Sequence, residues 1–436
     1  MSTQLAESQP VYLLKEADSN QGIADGYRLF DAGLALLMAN EDHLPELVDN
    51  YANFSSELLR YLREQAGLAE NGRGKHPDSA ICVFNQGLYN FLNTSTGQRL
   101  RDLLFDIYLR TGKKPDHLVD LIARVTQYLF RKNNDDSYID LIPTEEEGSG
   151  QPSWSAYWQK LGDDDYDRIQ QLLEEKQVST HVLTRYRALA ALVQLVENQT
   201  NELSIVDLGC SCNLGLAGLM RPKQWLPQLK EDDTPNGIIS NLPENNFPND
   251  ATWCGVDLAI VSDEWAKACA YFRQYESEHT QMTEARALVS SHEVSTSTLS
   301  GDITESDLWQ QIDLLTDSRP VDIVHASMVL YQLGPEQVQQ CLDLACQRLV
   351  IGGCFVELTF INQDSWFANT GGNHNDRWEA TIQSTVRFKT NDGRLTEPYQ
   401  WLLWDKSRCE KVRPGKDYDM VMHTLLSRRQ SIGENS

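Results

Sequence analysis

The sequence predicts an α/β protein: a mostly parallel sheet that closes with an antiparallel hairpin, preceded by an all-α region. Three observations carry this. Residues 203–219 run from an apolar strand (Leu203, Ile205, Val206) through Asp207 and Gly209 into a second apolar segment, the pattern of a buried parallel strand, a tight turn and a crossover helix. Residues 320–361 repeat that pattern as a strand over 321–326, a helix over 335–348, a Gly352-Gly353 turn and a strand over 354–361. Upstream, from Gly22 to about Phe130, apolar residues recur at three- and four-residue steps, which is helical spacing.

In chain order, residues 1–20 read as an irregular lead-in, and helices are expected over 27–38, 44–65, 80–93, 97–110 and 117–130. Pro77 and Pro115 stand just ahead of apolar-periodic runs, where helices often begin. No chemical motif marks this half; His76, His117 and Tyr89 read as core or surface residues. The acidic, Gly- and Pro-containing stretch 131–153 reads as a linker, giving a helical domain over 1–154 and an α/β domain over 155–436. Helices over 164–176 and 181–197 lead into the strand at 203. Residues 221–250 carry five prolines and are expected to be an inserted loop, neither helix nor strand, placed as a lid or substrate-facing segment. A strand then ends in Asp257 before a helix over 263–276, and another leads to Gly301-Asp302-Ile303 before a helix over 305–315. Two β-rich runs around Asn391-Asp392-Gly393 predict a hairpin over 384–406.

Composition narrows the function classes. The 436 residues carry a formal net charge of −25, which repels phosphate backbones and anionic lipid, and no basic run offsets it. Nucleic acid is therefore not an expected partner; a small molecule is, with a protein substrate as the other option. No apolar run is long enough to span a bilayer and no export signal is apparent, so the expected compartment is the cytoplasm. The nine cysteines read as reduced thiols, and Cys210 and Cys212 as small turn-fillers, because no second Cys/His pair at ligand spacing accompanies them. No metal is expected.

The turn after the first strand is where chemistry concentrates. Ligands of open α/β sheets bind at the carboxyl edge of the strands. Gly209 allows close approach of the backbone there, while Ser211 and Asn213 place small polar groups beside it. An acidic residue ending the second strand accepts hydrogen bonds from ribose hydroxyls, usually about 20 residues past the glycine turn. Asp257 stands some 50 residues past Asp207, and the prolyl insertion accounts for the excess. The competing reading makes Asp257 a cap for the helix at 263. Asp302 has the same alternative, as a cap for the helix at 305.

Together these residues resemble the motifs of S-adenosylmethionine (SAM)-dependent methyltransferases of the Rossmann-like type. The first motif, D-x-G-x-G-x-G, is matched by Asp207 and Gly209, with Ser211 and Asn213 where the later glycines fall. The run Asp322-Ile323-Val324, then Met328 to Leu333, and Gly352-Gly353 resemble strands four and five of that family. The closest likeness is to uncharacterised bacterial methyltransferase-like proteins with a helical N-terminal region, carried by Gly209–Ser211 and Gly255–Ala259. The resemblance implies a Rossmann-like methyltransferase sheet and SAM as cofactor. It also implies a cofactor site of Asp207, Gly209, Ser211, Asn213, Asp257, Leu258, Asp302 and Ile303, with Asp302 toward the adenine amino group and Ile303 on the ring.

His325 and Glu357 are the candidate catalytic bases and Tyr331 an orienting group; Trp366, Asn373 and His374 are candidates for the acceptor pocket. Methylation of a small molecule at oxygen or nitrogen is the expected activity. The alternative is a non-catalytic binding or regulatory protein on the same fold, motivated by the altered glycines. A nicotinamide-dependent oxidoreductase would need a strict Gly-x-Gly-x-x-Gly turn, which residues 209–214 do not provide.

Overall fold

Strand β1 (Ser204–Leu208) is buried at every position, as its unbroken apolar run requires. It belongs to a computed structural model that describes residues 44–69, 79–132, 154–179, 182–196, 203–226, 229–244, 247–248, 251–259, 261–269, 275–291, 294–316, 319–361, 380–405 and 409–433. The expected helix at 27–38, most of the acidic stretch 131–153, and Trp366, Asn373 and His374 lie outside these residues. The chain divides into two units, one of residues 1–178 with 271–273, the other of 179–270 with 274–436.

The first unit is helical: α1 (Leu44–Gln65), α2 (Ser79–Leu92), α3 (Gln98–Thr111), α4 (Pro115–Lys132), α5 (Trp154–Trp158) and α6 (Asp163–Glu175). Its boundary falls at 178/179, not at 154/155, because α5 is built into this core. Trp154 and Trp158 are both 1% exposed, and the Phe84 ring meets Trp154 edge-on at 4.9 Å. A Cβ on Gly87 of α2 would lie 2.3 Å from Trp154 Cβ, so glycine there lets the two helices touch.

The second unit holds the sheet. After β1 come β2 (Glu231–Asp232), β3 (Thr252–Asp257), β4 (Ser295–Ser300), β5 (Val321–Ser327), β6 (Leu349–Phe360), β7 (Ile382–Phe388), β8 (Tyr399–Trp404) and β9 (Lys411–Pro414). Their order across the sheet is β2-β9-β8-β7-β6-β5-β1-β3-β4. The pairs among β4, β3, β1, β5 and β6 are parallel, whereas β7 and β8 run antiparallel to their neighbours as the expected hairpin.

Helices cover both faces. One face packs against α7 (Arg187–Val196), α8 (Gly215–Met220), α11 (Tyr275–Ser291) and α14 (Tyr418–Gly433); the other packs against α12 (Ser306–Leu315) and α13 (Pro335–Arg348). Two further short helices of this unit among the described residues are α9 (Pro222–Trp225) and α10 (Asp263–Ala268).

Three expectations are corrected. Gly352 and Gly353 lie inside β6 and do not precede it: Gly352, at φ +86°, forms a bulge, and the strand begins directly after α13. The helix expected over 263–276 is two, α10 and α11. The segment 221–250 carries α9, a 3₁₀ turn at Pro235–Gly237 and the strand β2. Its order comes from Asp232, whose carboxylate accepts from the Thr234 amide and hydroxyl and the Ser240 amide, and from ion pairs of Glu231 with Lys411 and Arg413 on the sheet edge. Neither is visible as hydrophobic periodicity.

Candidate active site

From β1 the chain builds outward to β3 and β4, then returns to place β5 on the opposite side. In open α/β sheets such a reversal marks the ligand-binding position, here outside the carboxyl ends of β1 and β5. The turn after β1 lines it. Gly209 has φ +74°, and Ser211 and Asn213 each have φ +54°. The backbone thus keeps the left-handed shape that glycines favour, although two of the three residues carry side chains.

Those side chains are used. Asn213 Oδ1 accepts from Trp253 Nε1 at 2.6 Å, and its Nδ2 donates to Thr298 Oγ1 at 2.7 Å. It fits because residue 255 is glycine; a Cβ there would lie 2.2 Å from Asn213 Oδ1. Ser211 Oγ lies 2.6 Å from Ser179 Oγ. The Gly209 and Cys210 amides both donate to Val256 O, at 2.7 and 3.0 Å, which pins the turn onto β3.

Asp257 closes the floor beside the turn. Its Oδ2 accepts from the Ser211 amide at 2.7 Å, and its carbonyl accepts from the Gly301 amide at 3.0 Å. The ends of β1, β3 and β4 therefore converge on this residue. Burial raises the Asp257 carboxyl above its usual range, against the pull of the Ser211, Ala259 and Leu258 amides. Ser262, not Asp257, caps α10, accepting from Trp265 N. Leu258 next to it is 70% exposed, an apolar side chain held in water. Asp302 Oδ1 accepts from the Thr304 amide and hydroxyl at 2.9 and 2.7 Å, an Asx-type turn, while Glu305 takes the N-cap position of α12. Ile303 is 7% exposed and packs with Leu308 and Trp309.

Asp207 lies beneath the turn with no exposed surface. His325 Nδ1, on the neighbouring strand, lies 2.7 Å from its Oδ1, and the Tyr186 hydroxyl donates to Oδ2 at 2.8 Å. With Asp207 as the acceptor, the imidazole proton on that side sits on Nδ1. Burial, then the Asp207 charge, lifts the Tyr186 phenol well above its ordinary range and keeps it a donor.

The two candidate bases are not brought together. His325 is opposite Val356 in the β5–β6 register, so Glu357 falls on the other face of the sheet. His325 is 1% exposed; Glu357, whose carboxyl burial raises, faces Arg387 and the Thr359 hydroxyl. Tyr331 stands at the carboxyl edge itself, 49% exposed, with its ring edge-on to Phe360 at 5.1 Å. Burial raises its phenol, partly offset by the charge of Arg185.

Several residues here escaped sequence reasoning. Tyr186 has one signal, Gly215: a Cβ there would meet the Tyr186 ring at 2.2 Å. Arg286 donates to Cys212 O at 3.0 Å and to Asp263 at 2.6 Å, bracing the turn from α11. Met328 takes φ +57° as β5 ends, a strained conformation of a kind that clusters at functional sites, and Val329 then packs over Gly209. Ser327 Oγ, two residues past His325 on the same face, is buried without a hydrogen-bond partner among the described residues.

Among the described residues no group of three metal-ligating side chains forms, and no helix is long and apolar enough to cross a membrane. Burial pushes the Cys212 thiol up to about 12 and raises that of Cys210 as well.

No protein-family profile and no curated protein matches the sequence. Solved structures of SAM-dependent methyltransferases do resemble the chain, at low identity. The plantazolicin methyltransferase BamL, solved with a triazolic desmethylPZN analogue and SAH, is 11% identical with a TM-score of 0.24 over 44% of this chain; the chain spans 52% of its length. A SAM-dependent methyltransferase from Clostridium acetobutylicum is 14% identical, TM-score 0.23, over 57% of this chain and 80% of that one. An O-methyltransferase family protein from Burkholderia thailandensis is 12% identical, TM-score 0.25, over 78% and 90%.

Proposed function

We propose that the carboxyl edge of β1, β3 and β4 binds SAM and that the protein methylates a small-molecule acceptor at oxygen or nitrogen. One observation carries this reading: the Asp257 carboxylate, held by the Ser211 amide, stands beside Leu258, which is 70% exposed. An acid next to an exposed apolar side chain suits a nucleoside, whose ribose hydroxyls need acceptors and whose base needs an apolar wall. The motif resemblance at Asp207 and Gly209, and the strand order around the crevice, agree with it.

SAM, when bound, supplies a methyl group on a sulfonium leaving group. The protein's part is then mainly to position. Holding two reactants in line contributes about 7–11 kcal/mol; a general base contributes about 10²–10⁴-fold, or about 3–5 kcal/mol. Asp257 would accept from the ribose, with Leu258, Asp302 and Ile303 around the base. The turn from Gly209 to Asn213 would shape the wall, and Asp207 would support it from beneath through Tyr186 and His325. Ser327 Oγ offers an unsatisfied polar group at the end of β5. Tyr331, protonated at neutral pH, would orient the acceptor by donating a hydrogen bond.

Isothermal titration with SAM and S-adenosylhomocysteine (SAH) tests this. Asp257→Ala should weaken either ligand by at least about 1.5 kcal/mol, the scale of a hydrogen bond to a charged group; unchanged affinity removes Asp257 from the site. The second reading, a non-catalytic module, is favoured by the side chains of Ser211 and Asn213, which spend their polar groups inside the protein. Absence of heat with both ligands would select it.

A further inference from the structure

We propose that the helical unit carries a ligand site of its own, a cavity between α4, α5 and α6 that takes a small aromatic carboxylate. It shares no residue with the carboxyl edge of the sheet and is independent of the methyltransferase reading.

The cavity measures about 220 Å³, and its lining residues all belong to the first unit. Its floor is Phe130, near the end of α4, and Ile169, in the middle of α6, which are 6% and 1% exposed. Leu129, Tyr157 and Leu161, each half-buried, form the walls. The Phe130 and Tyr157 rings lie 5.1 Å apart with 39° between their planes, an aromatic pair on one side. An apolar cavity of about 150 Å³ is enough to take benzene, so this one holds a single ring with a short substituent.

The rim is charged. Lys160, between α5 and α6, and Asp165 and Arg168, in the first half of α6, are exposed and line the same cavity. Other arginines of this unit spend their charge on carboxylates: Arg60 on Glu64, Arg99 on Asp163, Arg110 on Asp106 and Glu174. Lys160 and Arg168 do not. Among the described residues neither side chain has an ion pair or a hydrogen bond, although Asp163, Asp164, Asp165 and Asp167 lie between them in sequence. Asp163 is taken by Arg99, and Asp165 turns its Oδ2 back to the Gly162 amide at the start of α6.

Charge sets the class of ligand. Two cations and one carboxylate give the rim a charge of +1, in a chain whose formal net charge is −25. A field of that sign holds anions away except where cations stand unpaired. A single positive charge in excess matches a carboxylate, whereas a phosphate dianion would leave a negative charge beside Asp165. The Arg168 fork suits two parallel hydrogen bonds to a carboxylate, with Lys160 as a point charge near it. A ring over Phe130 and Ile169 is then removed from water while the acid stays at the rim and keeps part of its hydration.

Calorimetric titration of the full-length protein with phenylacetate and its neutral counterpart phenylacetamide tests the proposal. Phenylacetate should bind saturably and at least about fivefold more tightly, a difference of about 1 kcal/mol, the upper range for an exposed ion pair. Arg168→Gln should erase that preference and leave the affinity for phenylacetamide unchanged; Arg168→Lys should keep part of it. Leu161→Ala should weaken both ligands, and Asp257→Ala neither. No saturable binding of phenylacetate, equal binding of the two ligands, or a preference that survives in folded Arg168→Gln overturns the proposal. So does inorganic phosphate that displaces phenylacetate at equal concentration, the rim then being a plain anion site. Displacement of phenylacetate by SAH, with Arg168→Gln binding it as the wild type does, would place the ligand at the edge of the sheet and overturn the proposal as well.

Discussion

Asn213 performs two tasks that glycine at the same position could not. It adopts φ +54°, which asparagine tolerates better than most residues, and it satisfies the Trp253 indole, whose side chain is 1% exposed. Replacement by glycine relieves the backbone but orphans the indole N–H. Asn213→Gly should therefore destabilise the fold by about 2 kcal/mol, the scale of an unsatisfied buried donor, read from urea denaturation. Ser211→Gly is the contrast. It relieves φ +54° and loses the bond to Ser179, so its effect should stay within about 0.5–1 kcal/mol of zero. Beneath them, Asp207→Asn offers an amide nitrogen to one of two donors, Tyr186 or His325. A loss of about 2 kcal/mol is expected, together with a changed tautomer signature for His325 in nitrogen-15 spectra.

At the level of elements, periodicity marked what packs and missed what pairs. The apolar spacing over 44–65 and 335–348 coincides with α1 and α13, because each buries one face. The pairing of His325 with Asp207 was not legible, since a sequence contains no inter-strand register. Nor was the separation of His325 from Glu357, which one residue of register decides. The strap at 230–240 was also hidden, because its anchors are charges some 180 residues away in Lys411 and Arg413. Those ion pairs lie at the surface and are screened by salt. Raising salt to about 1 M, where the screening length falls to about 3 Å, should speed exchange of the Asp233 amide, bonded to Val412 O, relative to the Thr252 amide, bonded to Leu203 O. The hydrogen bond from Lys411, with Arg413, lowers the Glu231 carboxyl. Its contribution is therefore present above the ordinary glutamate range and is lost as pH falls through the lowered value.

The whole molecule contains two units with separate cores. Cores of this kind unfold as their own cooperative blocks. Scanning calorimetry should resolve two transitions, and SAH should raise only the one belonging to residues 179–436. A single transition, or equal shifts of both, would count against cofactor binding by that unit alone. Composition and patterning distinguished a helical half from an α/β half, but placed the division at 154. Trp154 and Trp158 belong to the helical core through contacts with Phe84 and Phe91, and a sequence does not say which neighbour an aromatic ring will choose.

The two-residue strand β2 also acts as a hem. It lies along β9 in parallel, while the Lys230 and Asp233 amides donate to Glu410 O and Val412 O. Cutting out residues 228–246 would strip this cover and leave a raw row of peptide groups on β9, the new rim of a sheet reduced from nine strands to eight. Such a rim recruits strands from other molecules, so the shortened protein should self-associate in sedimentation experiments even where its ligand affinity is untouched.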